Sequence, residues 1–394
     1  MPIDSREPTV KVRENQIVVD LEQLERLEPL LPLGYKVIDR NTALELALID
    51  VGPRPRAETD ADADAQVQEL INELCEAYHN MKYGDELVIG KNRIVGSVAG
   101  SPYTGGGSGV ADPYTGGIHG KGQGGARLAE GKALPERRDA KRSVRVGILD
   151  TRLFEHSDLT GRYLASFGTL VTGAQAAAAA YTPQVHANLA HATFIAGVIL
   201  QRAPDADLDI RRGLDEDAAA SNSWDVAVKM AEFADSGLAV LNISFGAITV
   251  DDEPPLVLTR AVEALRAKAV TIVAAAGNNG PASKKMWPAA LPQVIAVGAD
   301  QAGSSRPAAF SPDQSNGWVD LMAPGEQVYS TYEGRCYATW DGTSFAAAAV
   351  SGAIAYLRQN EDMSGDEAEA WLKIPPDERK ALSGPAAMDD IRPA

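Results

Sequence analysis

Cysteine is scarce in this chain of 394 residues, which contains only Cys75 and Cys336, far apart in the sequence. Two distant thiols give neither the disulfide framework of a small secreted protein nor the close spacing of a metal site. The chain also lacks any run of about 18 apolar residues, and its start, Met1–Glu7, has no basic and then apolar leader. We therefore expect no metal site, no membrane partner and a cytoplasmic location, unless the chain has been trimmed or leaves the cell by another route.

Negative charge outweighs positive charge, since 37 Lys and Arg stand against 54 Asp and Glu and give a formal net charge of −17. No cluster of Lys and Arg offsets this excess, which argues against nucleic acid and anionic membranes as partners. Solubility is the simplest role of such a surface, although it would also attract basic substrates. Apolar residues make up 45% of the chain, which suits a globular α/β protein of about two domains.

Glycine dominates residues 100–125, which contain two copies of Pro-Tyr-Thr-Gly-Gly, at Pro102–Gly106 and Pro113–Gly117. Such a segment cannot bury a core, so we predict a mobile linker. No Gly-Lys-Ser/Thr follows these glycines, which argues against a phosphate-binding loop, and no cofactor is expected. The predicted organisation is an N-terminal domain over 1–99, a linker over 100–142, a larger domain over 143–360, and an acidic C-terminal tail over 361–394 with a short helix and a frayed end.

The N-terminal domain is predicted to be a small α+β unit. Its apolar residues recur with the period of strands in some segments and of helices in others. The predicted elements are a strand over Val10–Asp20, a helix over Leu21–Leu31, a strand over Ala43–Val51, a helix over Ala63–Met81 and a strand over Glu86–Val95.

In the larger domain, apolar strands alternate with segments of helical period. This alternation predicts an α/β fold, a parallel twisted sheet with helices on both faces. Such sheets bind their ligands at the carboxyl ends of the strands. Strands are expected near 144–149, 207–211, 239–244, 270–276 and 293–298, and helices near 189–201, 222–236, 256–268 and 344–358.

The segment Asp341–Gly352 places a hydroxyl group at the start of an Ala-rich helix. Ser344 would lie in the first turn, where unpaired backbone N–H groups and the helix dipole favour a developing negative charge. This position suits a nucleophile whose reaction forms an oxyanion. A Ser or Thr that merely caps a buried helix is the alternative interpretation.

A serine nucleophile needs a general base and a carboxylate that orients the base. Asp150 ends a buried strand at the predicted ligand-binding edge of the sheet, and His191 opens a helix of small apolar residues. A structural role for His191 is the alternative, but none of the other four histidines opens such a helix. Asn278 follows another buried strand and supplies an amide donor for an oxyanion.

These four residues lie in motifs that resemble those of the subtilisin-like serine proteases, or subtilases, whose triad runs Asp, His, Ser along the chain. The resemblance covers roughly residues 144–358 and rests on many short motifs in one order. The motifs are Gly147–Thr151, His156–Leu159, His191–Gly197, Asn242–Gly246, Ala274–Asn278, Trp287–Pro288, Val294–Ala299, Phe310–Ser311, Met322–Gly325 and the Ser344 segment.

The resemblance implies a serine endopeptidase that acts on a peptide or protein substrate. Ser344 would form an acyl-enzyme, with His191 as base, Asp150 as its orienting group and Asn278 in the oxyanion hole. The N-terminal domain stands where subtilases carry an inhibitory propeptide and would contact the protease domain in cis, whereas a permanent docking domain is the alternative. The residues implied in substrate binding are Ser244, Phe245 and Gly246, together with Ala275, Ala276 and Gly277.

Four positions depart from the family pattern: Arg152, Ala192, Phe194 and Ala348 stand where Gly, Gly, His and Pro are usual. Arg152 either competes for Asp150, faces solvent or contacts substrate. A catalytically impaired subtilase that serves as a binding or scaffold protein is therefore the alternative function, although the whole triad is present. Two other classes of enzyme fit the sequence less well. An esterase would carry Gly-x-Ser-x-Gly around its serine, and a sedolisin uses Glu in place of the catalytic His and Asp in place of the oxyanion-binding Asn.

The short connection between Asn278 and Trp287 bears on specificity, because it ends in Met286 where a glycine commonly floors the substrate pocket. A shallow pocket for small side chains is predicted, or a pocket in which Lys284 or Lys285 attracts an acidic one. The chain also leaves no room after the helix of His191 for the calcium loop of many subtilases, so we expect no such calcium site.

Overall fold

The computed structural model describes residues 12–53, 57–97, 127–129, 131–138, 143–165, 169–172, 190–214, 220–382 and 388–394. The glycine-rich segment, residues 100–125, lies outside these ranges, and its mobility stays a prediction. Within the described ranges, no helix is long and apolar enough to cross a membrane.

The N-terminal domain is a sheet of four antiparallel strands with one long helix. A capping box starts this helix, because the side chains of Thr59 and Asp62 each accept the other's backbone N–H. The elements are β1 (Val12–Asp20), α1 (Leu24–Leu27), β2 (Lys36–Asn41), β3 (Leu46–Asp50), α2 (Asp60–Asn80) and β4 (Ile89–Ser97). The order of these strands in the sheet is β4-β1-β3-β2.

Two elements of this domain differ from the prediction. The helix expected over Leu21–Leu31 is the single turn α1 followed by a 3₁₀ turn over Glu28–Leu30, where Pro29 lacks the N–H of a continuing α-helix. The edge strand β2 was not predicted, because most of its residues are exposed and show no apolar alternation.

The sheet of the N-terminal domain buries both faces. Successive side chains of a strand point to opposite sides, so Ile17 and Val19 join the apolar cluster of α2, whereas Val18 joins a cluster of the larger domain. Burial on both sides explains the uninterrupted apolar run Leu46–Ile49 in β3.

The larger domain contains the other strands that the structure describes. They are β5 (Arg127–Ala129), β6 (Arg145–Asp150), β7 (Leu153–Phe154), β8 (Tyr163–Ala165), β9 (Leu170–Val171), β10 (Asp207–Arg212), β11 (Ala220–Asn222), β12 (Val240–Ile243), β13 (Phe245–Gly246), β14 (Thr271–Ala275), β15 (Val294–Asp300), β16 (Leu321–Pro324), β17 (Val328–Thr331), β18 (Tyr337–Trp340) and β19 (Arg392–Pro393). Eight of them form the main sheet, in the order β19-β16-β15-β14-β12-β6-β10-β8. All neighbours in it are parallel except β16 and β19.

Helices cover both faces of the main sheet. One apolar cluster includes residues of α3 (His191–Arg202), α6 (Thr343–Asn360) and α7 (Gly365–Leu372). A second cluster includes α4 (Ser223–Ala231) and α5 (Leu256–Arg266). The predicted fold class, a parallel sheet with helices on both faces preceded by a small α+β domain, is confirmed.

The expected frayed end of the C-terminal tail is wrong for the residues described there. Beyond α7 the chain forms α8 (Pro376–Ala381) and then β19, which joins the main sheet beside β16. The guanidinium of Arg392 binds both carboxylate oxygens of Asp300, at 2.9 and 2.7 Å. The acidic composition of this segment concealed its buried anchors, Leu372, Met388 and Ile391.

The linker expected over 100–142 also contains ordered structure in its described part. β5 pairs antiparallel with β18, and Leu134 is buried in the core of the larger domain. The glycine content that suggested a linker ends near residue 125, before these residues.

Candidate active site

Asp150 and His191 meet at the carboxyl edge of the main sheet. Asp150 is the last residue of β6 and His191 the first residue of α3. Nδ1 of His191 lies 2.8 Å from Oδ1 and 2.9 Å from Oδ2 of Asp150, and the N–H of Thr151 donates to Oδ1 at 2.7 Å. The carboxylate therefore fixes the imidazole ring through Nδ1, which leaves Nε2 available for a proton from another group.

Ser344 lies in the first turn of α6, immediately after Gly342 and Thr343. It is fully buried, and the ring of the next residue, Phe345, is 5.5 Å from the ring of His191. Among the described residues, Oγ of Ser344 and Nε2 of His191 are buried atoms with no hydrogen-bond partner. Each of these two atoms can therefore accept a hydrogen bond from another group or donate one to it, and catalytic hydrogen bonds commonly form only when substrate is present.

Asn278 is oriented by Thr343. Its Oδ1 accepts the backbone N–H of Thr343 at 3.0 Å and the Thr343 hydroxyl at 2.9 Å, and that hydroxyl accepts the N–H of Gly277 at 3.1 Å. With its oxygen held this way, Asn278 presents its NH₂ group on the side of Gly342, where a Cβ would lie 3.6 Å from Nδ2. The NH₂ group and the start of α6 are thus neighbouring donors.

Aromatic rings surround His191. Trp340 meets the imidazole edge-on at 5.7 Å and 89°, and Phe345 is tilted against it. Phe194, which replaces the usual second histidine, lies behind them, 4.5 Å from Phe345 and 5.6 Å from Trp340. Sequence reasoning missed this enclosure, although the clustering of scarce aromatic residues in the triad motifs was a signal.

The other departures from the family pattern leave the Asp150–His191 pair in place. Burial and the nearby Arg212 guanidinium lower the pKa of Arg152, and Arg152 does not displace His191 from Asp150. The N–H of Ala192 donates to the Thr151 hydroxyl at 3.2 Å. Ala348 is fully buried within α6.

The six residues predicted to bind substrate lie at the carboxyl ends of two neighbouring strands. β12 and β14 are paired in parallel, so Ser244–Gly246 and Ala275–Gly277 leave the same edge of the sheet beside Asn278. The hydroxyl of Ser244 accepts a hydrogen bond of 3.0 Å from the side-chain NH₂ group of Asn242. All six predicted residues, Ser244, Phe245, Gly246, Ala275, Ala276 and Gly277, are buried.

A strand of the N-terminal domain occupies the space beside these residues. β4 pairs antiparallel with β13, Gly96 opposite Gly246, and with β11, Val95 opposite Ser221. β11 was missed from the sequence, because three residues next to a helix carry no strand pattern. β4 therefore lies between two strands that flank the site.

The side chain of Asn92 in β4 fixes this arrangement. Its Oδ1 accepts the Ser223 hydroxyl at 3.1 Å and the N–H of Trp224 at 3.0 Å, at the start of α4. Asn92 is fully buried, and the N–H of Arg93 donates to the Ser223 hydroxyl at 2.9 Å. The two domains thus share hydrogen bonds of buried groups.

Asp158 is engaged by protein donors. Its Oδ2 accepts the N–H of Leu134 at 2.7 Å and the hydroxyl of Tyr337 at 2.8 Å. Burial alone would raise the pKa of Asp158, but these hydrogen bonds outweigh it and hold the pKa below its usual value. In the part of the chain that the structure describes, no group of three or more His, Cys, Asp or Glu side chains is placed to hold a metal ion.

Comparison with known proteins agrees with this geometry. The model of the subtilase family matches residues 141–375. Subtilisin BL of Lederbergia lenta is 35% identical over 225 residues, which are 55% of this chain and 76% of that protein. Alkaline protease of Alkalihalobacillus alcalophilus is 34% identical over the same share of this chain, which spans about half, 54%, of that relative.

A solved structure shows the same fold. A mutant of the protease domain of PatA is 27% identical, with a TM-score of 0.52, over 66% of this chain and 94% of that domain. The chain belongs to the subtilase family, as its motifs predicted, and its class of enzyme is the serine-type endopeptidase.

Proposed function

We propose that the protein hydrolyses peptide bonds through Asp150, His191 and Ser344 and an acyl-enzyme on Ser344. His191 takes the Ser344 proton through Nε2 and later gives it to the leaving amine. Asp150 holds the ring through Nδ1 and stabilises its charged form. The observation that carries this proposal is the 2.8 Å contact between His191 and Asp150 beside two buried, unbonded atoms, Nε2 of His191 and Oγ of Ser344.

The oxyanion of the tetrahedral intermediate would bind to the NH₂ group of Asn278 and the backbone N–H of Ser344. Both donors are held in advance, the first by Thr343 and the second by α6. Fixed donors in a buried site stabilise developing charge without having to reorganise.

The substrate would bind as an extended strand between β11 and β13, with Ser244–Gly246 and Ala275–Gly277 beside the scissile bond. β4 of the N-terminal domain holds this place in cis. An antiparallel strand with partners on both sides uses its backbone hydrogen bonds as a substrate strand would. We therefore propose that the N-terminal domain inhibits the enzyme until the chain is cut within residues 97–142.

Reaction with a fluorophosphonate probe tests the activity, because such probes label the nucleophile of active serine hydrolases. We expect labelling of the self-cleaved chain at Ser344, no labelling of Ser344→Ala, and peptide hydrolysis by the self-cleaved chain that stops once the probe has reacted. A folded, cleaved protein that neither reacts nor hydrolyses any peptide would instead be the impaired scaffold.

The inhibitory role has its own test. Purified wild type should appear as two fragments on a denaturing gel, and Ser344→Ala should stay intact. A wild type that remains full-length and fully active would make the N-terminal domain a permanent docking domain. A cytoplasmic location is also proposed, supported by the scarcity of cysteine, with two residues in the chain of 394.

A further inference from the structure

Met286 lies in the crevice between the two segments that leave β12 and β14. A Cβ added to Gly246 would meet its Sδ at 2.6 Å and its Cγ at 2.7 Å, and a Cβ added to Gly277 would meet its Cε at 3.0 Å. The thioether side chain therefore touches both walls. Met286 is 7% exposed, so it is part of the packed interior of the crevice.

The backbone fixes Met286 in this position. Its neighbour Trp287 forms an isolated antiparallel bridge with Ala247, in which each N–H donates to the other carbonyl at 2.9 Å. The carbonyl of Met286 also accepts the N–H of Ala290 at 2.8 Å. These hydrogen bonds, at the carbonyl of Met286 and at the next residue, hold the backbone of Met286 beside the crevice.

The crevice opens beside Asn278, the neighbour of Gly277, and Ser344. In the proposed mode of binding, a substrate whose carbonyl carbon faces Ser344 places the side chain of that same residue between Ser244–Gly246 and Ala275–Gly277. That volume already contains the methionine side chain. We infer that Met286 is the residue that sets specificity, restricting the residue before the cut to small side chains such as Gly, Ala or Ser; this inference rests on the proposed proteolytic function.

The structure also bears on whether a lysine attracts an acidic substrate residue. Nζ of Lys285 pairs with Asp252 at 3.0 Å and lies 5.6 Å from the centre of the Trp287 ring. Its charge is therefore directed to a carboxylate of the protein. Lys284 is exposed on the surface. Size, set by Met286, is thus the property by which the crevice selects.

Chromogenic tetrapeptide anilides that differ only in their last residue, Ala, Phe or Glu, test the inference on the self-cleaved enzyme. Since one methylene changes selection by about 10-fold to 200-fold, we expect wild type to prefer Ala over Phe by at least about 100-fold in kcat/KM. Met286→Gly, or Met286→Ala if the first variant folds poorly, should improve hydrolysis of the Phe anilide at least about tenfold. Met286→Leu, of similar size, should keep the wild-type order.

Equal hydrolysis of the Phe and Ala anilides by wild type would overturn the inference, as would a folded Met286→Ala variant with an unchanged profile. A preference for Glu that Lys285→Ala or Lys284→Ala removes would assign selection to charge instead. Labelling by a plain fluorophosphonate, which has no side chain to place in the crevice, separates these results from failure of the proposed function. No labelling and no hydrolysis of any anilide would end both.

Discussion

The hydroxyl of Thr343 donates a hydrogen bond of 2.9 Å to Oδ1 of Asn278. The residue before the proposed nucleophile therefore orients the amide proposed to bind the oxyanion. Two residues with separate motifs in the sequence act as one unit, since Asn278 can direct its NH₂ group only while its oxygen is held.

The oxyanion assignment predicts that Asn278→Ala lowers kcat by about 10²–10³ with little change in KM, the loss recorded for one such donor in a related protease. Thr343→Val should lower kcat at least about fivefold, because it removes the hydrogen bond of about 1 kcal/mol that orients Asn278, as well as the one that the hydroxyl accepts from the N–H of Gly277. Thr343→Ser keeps the hydroxyl and serves as control. If Thr343→Val reduced the kcat of peptide hydrolysis further in the Asn278→Ala background, the two residues would not act as one unit.

The contact between Asp150 and His191 predicts a severe effect of Asp150→Asn. An amide that turns its NH₂ group toward Nδ1 favours the tautomer in which Nε2 carries the proton and cannot accept one. Turnover should fall about 10⁴-fold, while the melting temperature changes little because the side chains have the same shape. A loss of less than about tenfold in steady-state hydrolysis would remove Asp150 from the proposed triad.

Local sequence was sufficient to place the main chain around the site. Apolar strands ending at Asp150 and near Asn278, and small-residue helices opening at His191 and Ser344, bring four side chains to one edge because parallel strands share their carboxyl ends. Each of these elements appears within a few residues of its predicted bounds.

Contacts between distant segments were not predictable in this way. The enclosure of His191 by Trp340 and Phe345 depends on how α3 and α6 pack, and sequence spacing contains no such information. The pairing of β4 with β11 and β13 joins two domains across more than a hundred residues. The docked C-terminal segment was missed for a similar reason, because its buried residues are scattered among charged ones.

Docking of the N-terminal domain predicts a specific effect of Asn92→Ala. The change leaves the N–H of Trp224 and the Ser223 hydroxyl without their buried acceptor, at a cost of about 1–3 kcal/mol. The undocked fraction should therefore rise about fivefold to 150-fold, and an N-terminal fragment with Asn92→Ala, added to the self-cleaved enzyme, should slow its reaction with a fluorophosphonate correspondingly less than the wild-type fragment does.

Asn72→Ala is the matched control for this experiment, since Asn72 is exposed on α2 and its side chain accepts a hydrogen bond from Gln68 in the same helix. An Asn92→Ala fragment that folds normally and slows the reaction as much as the wild-type fragment would separate docking of β4 from inhibition.

Tyr337 predicts how stability depends on alkaline pH. Burial, and then the hydrogen bond to Asp158, raise its pKa to about 12, against about 10 in an unfolded chain. Because the folded pKa is the higher one, the stabilisation is fully present below pH 10 and is lost as the pH rises to 12. Tyr337→Phe should therefore melt below wild type at pH 7, and the difference should shrink between pH 10 and 12. Asp158→Asn removes the charged acceptor and should therefore reduce the effect of Tyr337→Phe on the melting temperature. If the difference in melting temperature between wild type and Tyr337→Phe stayed constant up to pH 12, the hydroxyl would contribute nothing through this bond.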